Sequence, residues 1–479
     1  MTRRTLINSL LVLIAFGWLL LFAYPGIWAP FSSDDLMNLN GHLSRPFGSL
    51  LLDNLRYWST AYRPLGGIFY VTLYRWFGFN PLPFRVACFG LLALNLGFLW
   101  RFALLLSRSR EAAFLTLLLA SYHAWFVDLF YNTGTVYDLL CYAFYLGAFN
   151  VYVCVRSSES ILKWRHLAII IFLYICALDA KEMAVTLPVT LAVYEVIWHG
   201  KALWKSGPTW PWREGNGVLA TALLSLPYAI GKTSGTGSLV EVPAYQMTIS
   251  GGRYLDTFHL YLNPLLYQEH IFRDSNTVQL VIVMLAIALL LRNRPMLFAW
   301  CFLLISLLPV AFIAHYAAFF LYLPMAGWAL YAAMLLVTIR RFLIKLVDRI
   351  VKPSDSGARW LQAGSVVLFP ILVALFLAPQ HRRESIKTLA HFETMQPPSR
   401  EVAAQLIALR PTMPRGAHIL FIGDPYPQNE YFLLFLTRAL YHDIGITVDK
   451  LPANQNPQPQ TARYDAVFRY QNGQLNNIG

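Results

Sequence analysis

The pair Asp34-Asp35 stands just beyond the first long apolar run of the chain, Leu6 to Tyr24, behind Trp28 and Phe31 in the string Ser32-Ser33-Asp34-Asp35. Adjacent carboxylates at the mouth of a membrane protein suit proton abstraction from a substrate that arrives on one side while another waits in lipid. The same string suits a plain structural task, because Ser and Asp cap helix N-termini. More ionisable groups gather at the ends of later apolar runs. Arg63 lies in Tyr62-Arg63-Pro64-Leu65, His123 and Asp128 close the third run, and Asp138 enters the fourth. Asp179, Lys181 and Glu182 interrupt the stretch between the fifth and sixth, and His315 opens the tenth, with Tyr322 about two turns later. An ionisable residue at such depth costs about 2.5–3.5 kcal/mol to insert, so it pairs or lines a functional cavity. Each has a structural reading beside the functional one. Lys181 and Glu182 form a salt bridge at a tight turn, His123 and His315 are satisfied interfacial histidines, Arg63 snorkels to headgroups, and Asp128 is a loop residue.

The elements that must carry these groups are apolar segments at roughly 6–24, 83–106, 111–127, 133–155, 166–180, 183–199, 217–231, 277–291, 296–313, 317–338 and 360–378. Each is close to the ~20 residues that cross a bilayer, which gives about eleven spans. With the N-terminus in the cytoplasm, every second connection holds the basic residues: Arg108/Arg110, Arg156/Lys163/Arg165, Lys201/Lys205/Arg213, Arg292/Arg294 and the run from Arg340 to Arg359. That is the positive-inside pattern, and it puts the whole candidate set on the opposite, extracytoplasmic face. On that face, Asn54 to Phe77 is aromatic and interleaved with Arg56, Arg63 and Arg75, as expected of helices lying in the interface. The connection 232–276 opens Lys-Thr-Ser-Gly-Thr-Gly-Ser and reads as a mobile loop that orders over a bound donor. Gly231-Lys232-Thr233 has the end of a phosphate-binding loop, but Leu226 replaces the first glycine and no strand precedes it.

Of the 479 residues, 57% are hydrophobic and 13% charged, with a mean hydropathy of +0.48. A soluble domain carries about 25% charged residues, so the composition is that of a polytopic membrane protein. The net charge of +13 is spread over short clusters between apolar runs, which encodes topology and implies no nucleic-acid partner. Cys88, Cys141, Cys154, Cys176 and Cys301 all fall in apolar segments, without metal-ligand spacing, and read as small buried hydrophobes. The expected fold is mostly α, with residues 1–380 as the transmembrane part and 381–479 as a small extracytoplasmic α/β domain. In that tail, Pro397-Pro398 and a helix near Arg400–Leu409 lead into the strand-like run from His418, a helix about Asn429–Tyr441, a strand Ile446–Leu451 and a strand or hairpin near Tyr464–Leu475.

The ordered set Asp34-Asp35, Tyr62-Arg63-Pro64-Leu65, His123…Asp128…Asp138-Leu-Leu, Lys181-Glu182…Leu187-Pro188 and Leu321-Tyr322-Leu323-Pro324…Gly327 resembles the membrane part of the GT-C glycosyltransferases. The branch it resembles is that of the transmembrane and tetratricopeptide-repeat O-mannosyltransferases and their bacterial relatives, over about residues 6–340. It departs from them in several places. Ala124 and Phe126 stand for the Pro and second His of a His-Pro-x-His-x-Glu pattern, Asp128 for its Glu, and Val136 for an arginine; the C-terminal repeats are absent. These departures leave the mannose and protein-acceptor specificity of that branch unassigned.

The resemblance implies a bacterial inner-membrane enzyme whose active site and C-terminal domain face the periplasm or exterior. Its donor would be a sugar on a polyprenyl phosphate, undecaprenyl-linked in bacteria, and its acceptor a hydroxyl on a glycan, lipid or protein. It further implies that Asp34 takes the acceptor proton, that Asp35 supports it, and that the sugar carbon inverts. The departing polyprenyl phosphate needs cations or donors, for which Arg63 and Lys181 are the first candidates and His315 and Tyr322 further ones. His123, Asp128, Asp138 and Glu182 complete the substrate-binding set. No cofactor and no metal is expected. Two other readings stay open: a transporter or flippase for a lipid-linked or ionic substrate, using Asp138, Lys181 and Glu182, and a non-catalytic assembly subunit.

Overall fold

The computed structural model describes residues 3–158, 161–234, 238, 241–268, 274–351, 355–395, 399–427, 430–454 and 463–478. Pro397-Pro398, Asn429 and Gly235 to Gly237 of the glycine-rich string lie outside them.

The protein is mostly helical. α1 (Arg3–Ala23) is followed by α2 (Ser33–Leu43), α3 (Phe47–Leu55) and α4 (Pro64–Phe77), so the first long connection is built of helices, as its aromatic pattern predicts. α5 (Pro81–Ser107) starts where Asn80 accepts from Leu82 N and Pro81 supplies a preset first turn. α6 (Arg110–Ser121), capped by Ser109, stops short of the expected 111–127, and the chain turns through 124–126 into α7 (Val127–Tyr131). α8 (Val136–Arg156), α9 (Trp164–Ala180), α10 (Leu187–Ser206) and α11 (Asn216–Thr233) follow. The expected loop 232–276 contains α12 (Gly251–Leu265). α13 (Asp274–Leu290), α14 (Arg294–Ser306) and the single turn α15 (Leu308–Ala311) precede a non-helical stretch at 314–317. α16 (Met325–Val351) begins after the expected start at 317, and α17 (Asp355–Met395) runs through Pro370 and Pro379 without a break.

Five stretches among the described residues are long and apolar enough to cross a membrane: Thr5–Trp28, Pro81–Ser107, Thr133–Arg156, Glu182–Trp212 and Gln362–Leu409. Arg110–Ser121 with Ala124–Tyr131, bent by 56°, makes a sixth if counted as one broken span. These are the helices of a membrane protein. The expected segments 166–180, 217–231, 277–291, 296–313 and 317–338 are helical in large part but are not among them, so length and composition do not reproduce a count of eleven.

α5, α6, α8, α9, α14 and α16 pack on one another around an aromatic centre where Phe102 meets Phe149, Phe298 and Phe302. Buried ion pairs tie helices here: Arg156 Nε of α8 to Glu195 Oε1 of α10 at 2.9 Å, and Arg340 Nε of α16 to Glu111 Oε1 of α6 at 2.5 Å.

After α17 the chain forms α18 (Ser399–Leu409), β1 (His418–Ile422), α19 (Phe432–Leu440), β2 (Thr447–Leu451), β3 (Ala466–Gln471) and β4 (Gln474–Asn477). The sheet order is β2-β1-β3-β4, with β1 parallel to both neighbours and β4 antiparallel. The β3–β4 hairpin turns on Asn472-Gly473, both at positive φ, the pairing favoured by two-residue hairpin turns. α19 packs on α2, where Arg438 Nη1 donates to Asn40 Oδ1, and Tyr74 Oη of α4 donates to the Ala439 carbonyl. The α/β unit therefore seats on the helix that carries Asp34 and Asp35.

Candidate functional site

The two adjacent carboxylates have different surroundings. Asp35 closes a capping box: its carboxylate accepts from Ser32 N at 2.8 Å while Ser32 Oγ accepts from Asp35 N at 3.2 Å. Arg85, on the first turns of α5, donates to the same oxygen at 2.7 Å, and Gly134 N donates to the other at 3.0 Å. Asp35 and Arg85 are both fully buried. Burial pushes the Asp35 carboxyl above its ordinary value, and the Arg85 guanidinium and the Ser32 N–H oppose that rise. With both oxygens engaged, Asp35 is a structural anchor, which joins the start of α2 to α5 and to the turn before α8.

Asp34 is half-buried and accepts from Asn132 Nδ2 at 2.9 Å through one oxygen. Asn132 is itself buried and fixed, because its Oδ1 accepts from Ser32 Oγ and from Gly134 N. Its amide is also within hydrogen-bonding reach of the Asp128 carboxylate, so Asn132 stands between two acids. Asp34 is thus the carboxylate of the pair that remains available, aimed by a buried amide.

Next to it, Tyr137 on the first turn of α8 donates to Asn38 Oδ1 at 2.8 Å and meets His42 Nε2 at 2.9 Å. Burial, and after it the charge of Arg45, lowers His42 to about 4, so its ring is neutral in this contact. The other side of the Tyr137 ring faces α4. A Cβ on Gly66 would come within 2.0 Å of it, which explains a glycine in the first turn of that helix.

Arg63 caps α4 in the left-handed conformation, φ 42° and ψ 61°. A non-glycine residue pays for that backbone with strain of about 1–2 kcal/mol. Its guanidinium lies over Tyr62 and Tyr137, at 4.6 and 5.3 Å from the ring centres, and donates to both oxygens of Glu182 at 3.2 and 2.9 Å. Lys181, the neighbour of Glu182 in the break between α9 and α10, donates to Asp138 at 2.5 Å and sits over Phe319 and Phe320. Lys232, near the end of α11, donates to the Ala61 carbonyl at 2.5 Å.

Arg63, Lys181 and Lys232 converge on a cavity of about 260 Å³, in whose lining Glu182 is the one carboxylate among the described residues. Its remaining walls are mainly apolar, among them Val185, Met247, Pro309, Val310 and Ile313. Part of the expected loop forms this wall, through the bridge Met247–Ile313 and Thr248 N donating to the Phe312 carbonyl. His315 stands exposed at the edge, between Tyr245 and Phe320. Partial burial, then Lys181 and Arg63, hold its imidazole below the usual value, while Asp34 acts the other way. His315 therefore feels both the cationic cavity and the Asp34 carboxylate. It belongs to a connection between helices and does not begin a span.

Two of the expected residues lie elsewhere. His123 is buried against the Tyr267 ring at 4.3 Å, with Nε2 at 3.3 Å from the Leu265 carbonyl, where it joins the α6 break to the end of α12. Tyr322 is buried on Tyr142 at 4.5 Å and accepts from Asn95 Nδ2. Both pack helices together. Asn132, Arg85, Tyr137 and Lys232 are the residues that reading by type left out. Lys232 was visible next to Gly231, whose role is close approach: a Cβ there would come within 1.6 Å of the Trp58 carbonyl oxygen.

The fold and this arrangement define a class: a helical membrane protein with a cation-headed, apolar-walled cavity beside a positioned carboxylate. No family model and no curated protein matches the chain. Among the described residues no group of three or more His, Cys, Asp or Glu could hold a metal ion.

Proposed function

We propose that the protein is a membrane glycosyltransferase of the GT-C type, which moves a sugar from a polyprenyl phosphate to an acceptor hydroxyl with inversion. In this reading about eleven segments cross a bacterial inner membrane, the site faces the periplasm, and the acceptor is a glycan, lipid or protein. The observation that carries it is the convergence of Arg63, Lys181 and Lys232 on an apolar-walled cavity, with Asp34 nearby and oriented by Asn132. An apolar wall beneath cations suits a phosphate whose ester chain is an isoprenoid.

Asp34 accepts the hydroxyl proton as the acceptor oxygen bonds to the anomeric carbon. The bond from that carbon to the phosphate oxygen breaks, and polyprenyl phosphate leaves as an anion. Positive groups preset around that anion stabilise its developing charge without reorganising. Arg63 uses Nε and one Nη2 proton on Glu182, which leaves donors for phosphate. Glu182 and Asp138 keep the cations ordered while the cavity is empty.

The test is the full chain in vesicles loaded with a labelled undecaprenyl-phosphate sugar and membrane acceptor lipids. Label appearing on acceptor with release of undecaprenyl phosphate is expected. Movement of the donor between leaflets with no transfer would replace this reading with that of a flippase.

A further inference from the structure

α16 is 27 residues long, about 40 Å, and so exceeds the ~30 Å of hydrocarbon in a bilayer. It begins five residues after Phe320 of the cavity wall, so its far end stands about 40 Å from the cavity along the helix axis, beside α17, which from Gln362 on is long and apolar enough to cross a membrane. Over the last turns Phe342, Leu346 and Ile350 are exposed, interleaved with exposed Arg341, Lys345 and Arg349. Apolar and basic groups in such alternation are those of a helix at the headgroup boundary.

Between this end of α16 and α17 runs a cleft of about 530 Å³, lined by Arg340, Arg341, Ile344, Lys345, Gln362 and Val366. Arg340 is its fixed floor: it donates to Glu111 Oε2 at 2.9 Å and to Ser365 Oγ at 2.6 Å. Arg341 and Lys345 are four residues apart, hence on one face of the helix, and both line the opening. Asp348 is the acid on the same turns of α16. Below the cleft, Val366, Val367 and Leu368 of α17 present exposed apolar surface where acyl chains would run.

We propose that this cleft binds an anionic phospholipid, with its phosphate on Arg341 and Lys345 and its chains along α17. The occupant follows from position and charge: two cations open to the headgroup level above a lipid-facing apolar strip. This site is independent of the sugar-transfer reading and needs only that α16 and α17 lie in a bilayer.

The experiment uses the full-length protein, exchanged from detergent into nanodiscs containing phosphatidylglycerol, phosphatidylcholine or both. Retained lipid is then counted by native mass spectrometry. Phosphatidylglycerol should be retained in preference. Arg341→Ala/Lys345→Ala should weaken its retention about 30-fold and Lys345→Gln alone about five-fold, whereas Arg349→Ala, outside the cleft, should change little. Equal retention of phosphatidylcholine, or an unchanged lipid count in a folded double variant, would overturn the proposal. Displacement of the lipid by millimolar inorganic phosphate would also overturn it, because the cleft would then be a site for a soluble anion.

Discussion

Removal of Arg63 separates its two tasks, holding Glu182 and meeting a phosphate. The Arg63 side chain is 9% exposed and that of Glu182 23%, and the pair is bidentate. Arg63→Met leaves the Glu182 carboxylate uncompensated in a mainly apolar cavity. Breaking a fully buried pair costs about 3–5 kcal/mol, and the residual exposure of Glu182 puts this one near the low end, about 3 kcal/mol. Replacing both partners, Arg63→Met/Glu182→Gln, removes the unpaired charge, so thermal stability should return to within about 1 kcal/mol of the parent. Sugar transfer should not return with it. If Arg63 meets the departing phosphate, its loss lowers transfer about 10²-fold or more in the single and double variants alike. The assay is labelled-sugar transfer in vesicles beside a melting curve for each variant. A double variant that transfers at the parental rate would refute the argument and reduce Arg63 to a counterion.

Asp35→Asn leaves the Arg85 charge buried without its partner, and the melting temperature should fall by the equivalent of about 3–5 kcal/mol, whereas Asp34→Asn should leave it nearly unchanged. A melting curve for each variant decides it; equal and small effects would remove the structural role given to Asp35. His42 supplies a pH dependence. Its folded pKa is depressed to about 4 from 6.5, so the unfolded chain takes up a proton first as pH falls. Stability is therefore complete above pH 6.5 and is lost between 6.5 and about 4, by up to about 3 kcal/mol. Melting temperature measured across that range should fall for the parent and stay flatter for His42→Gln, which keeps a bond to Tyr137.

Much of this arrangement is local and so was readable. The Ser32-to-Asp35 spacing is a capping box, the aromatic run before Phe77 is helical from Pro64 on, and Asn472-Gly473 marks the hairpin of the small sheet. What decides the roles is not local. Asp35 is engaged through both oxygens because Arg85, fifty residues on, and Gly134 take them, whereas Asn132, ninety-eight residues on, takes one oxygen of Asp34. Depth in the sequence said nothing of direction: Tyr322 and His123 lie at the right level yet point into helix packing. Hydropathy also misses helix ends inside apolar sequence. The breaks after Ser121 and between Ala311 and Met325 fall where composition hardly changes, and the second of them puts His315 at the cavity edge.

The central claim is that Asp34 acts as the base for sugar transfer from a polyprenyl phosphate. Asp34→Asn keeps the shape of the side chain and can still bond Asn132, but it cannot take a proton. In vesicles with labelled donor, the account predicts a folded variant that binds donor and transfers sugar about 10²–10⁴-fold more slowly. Transfer by Asp34→Asn at the parental rate would contradict it.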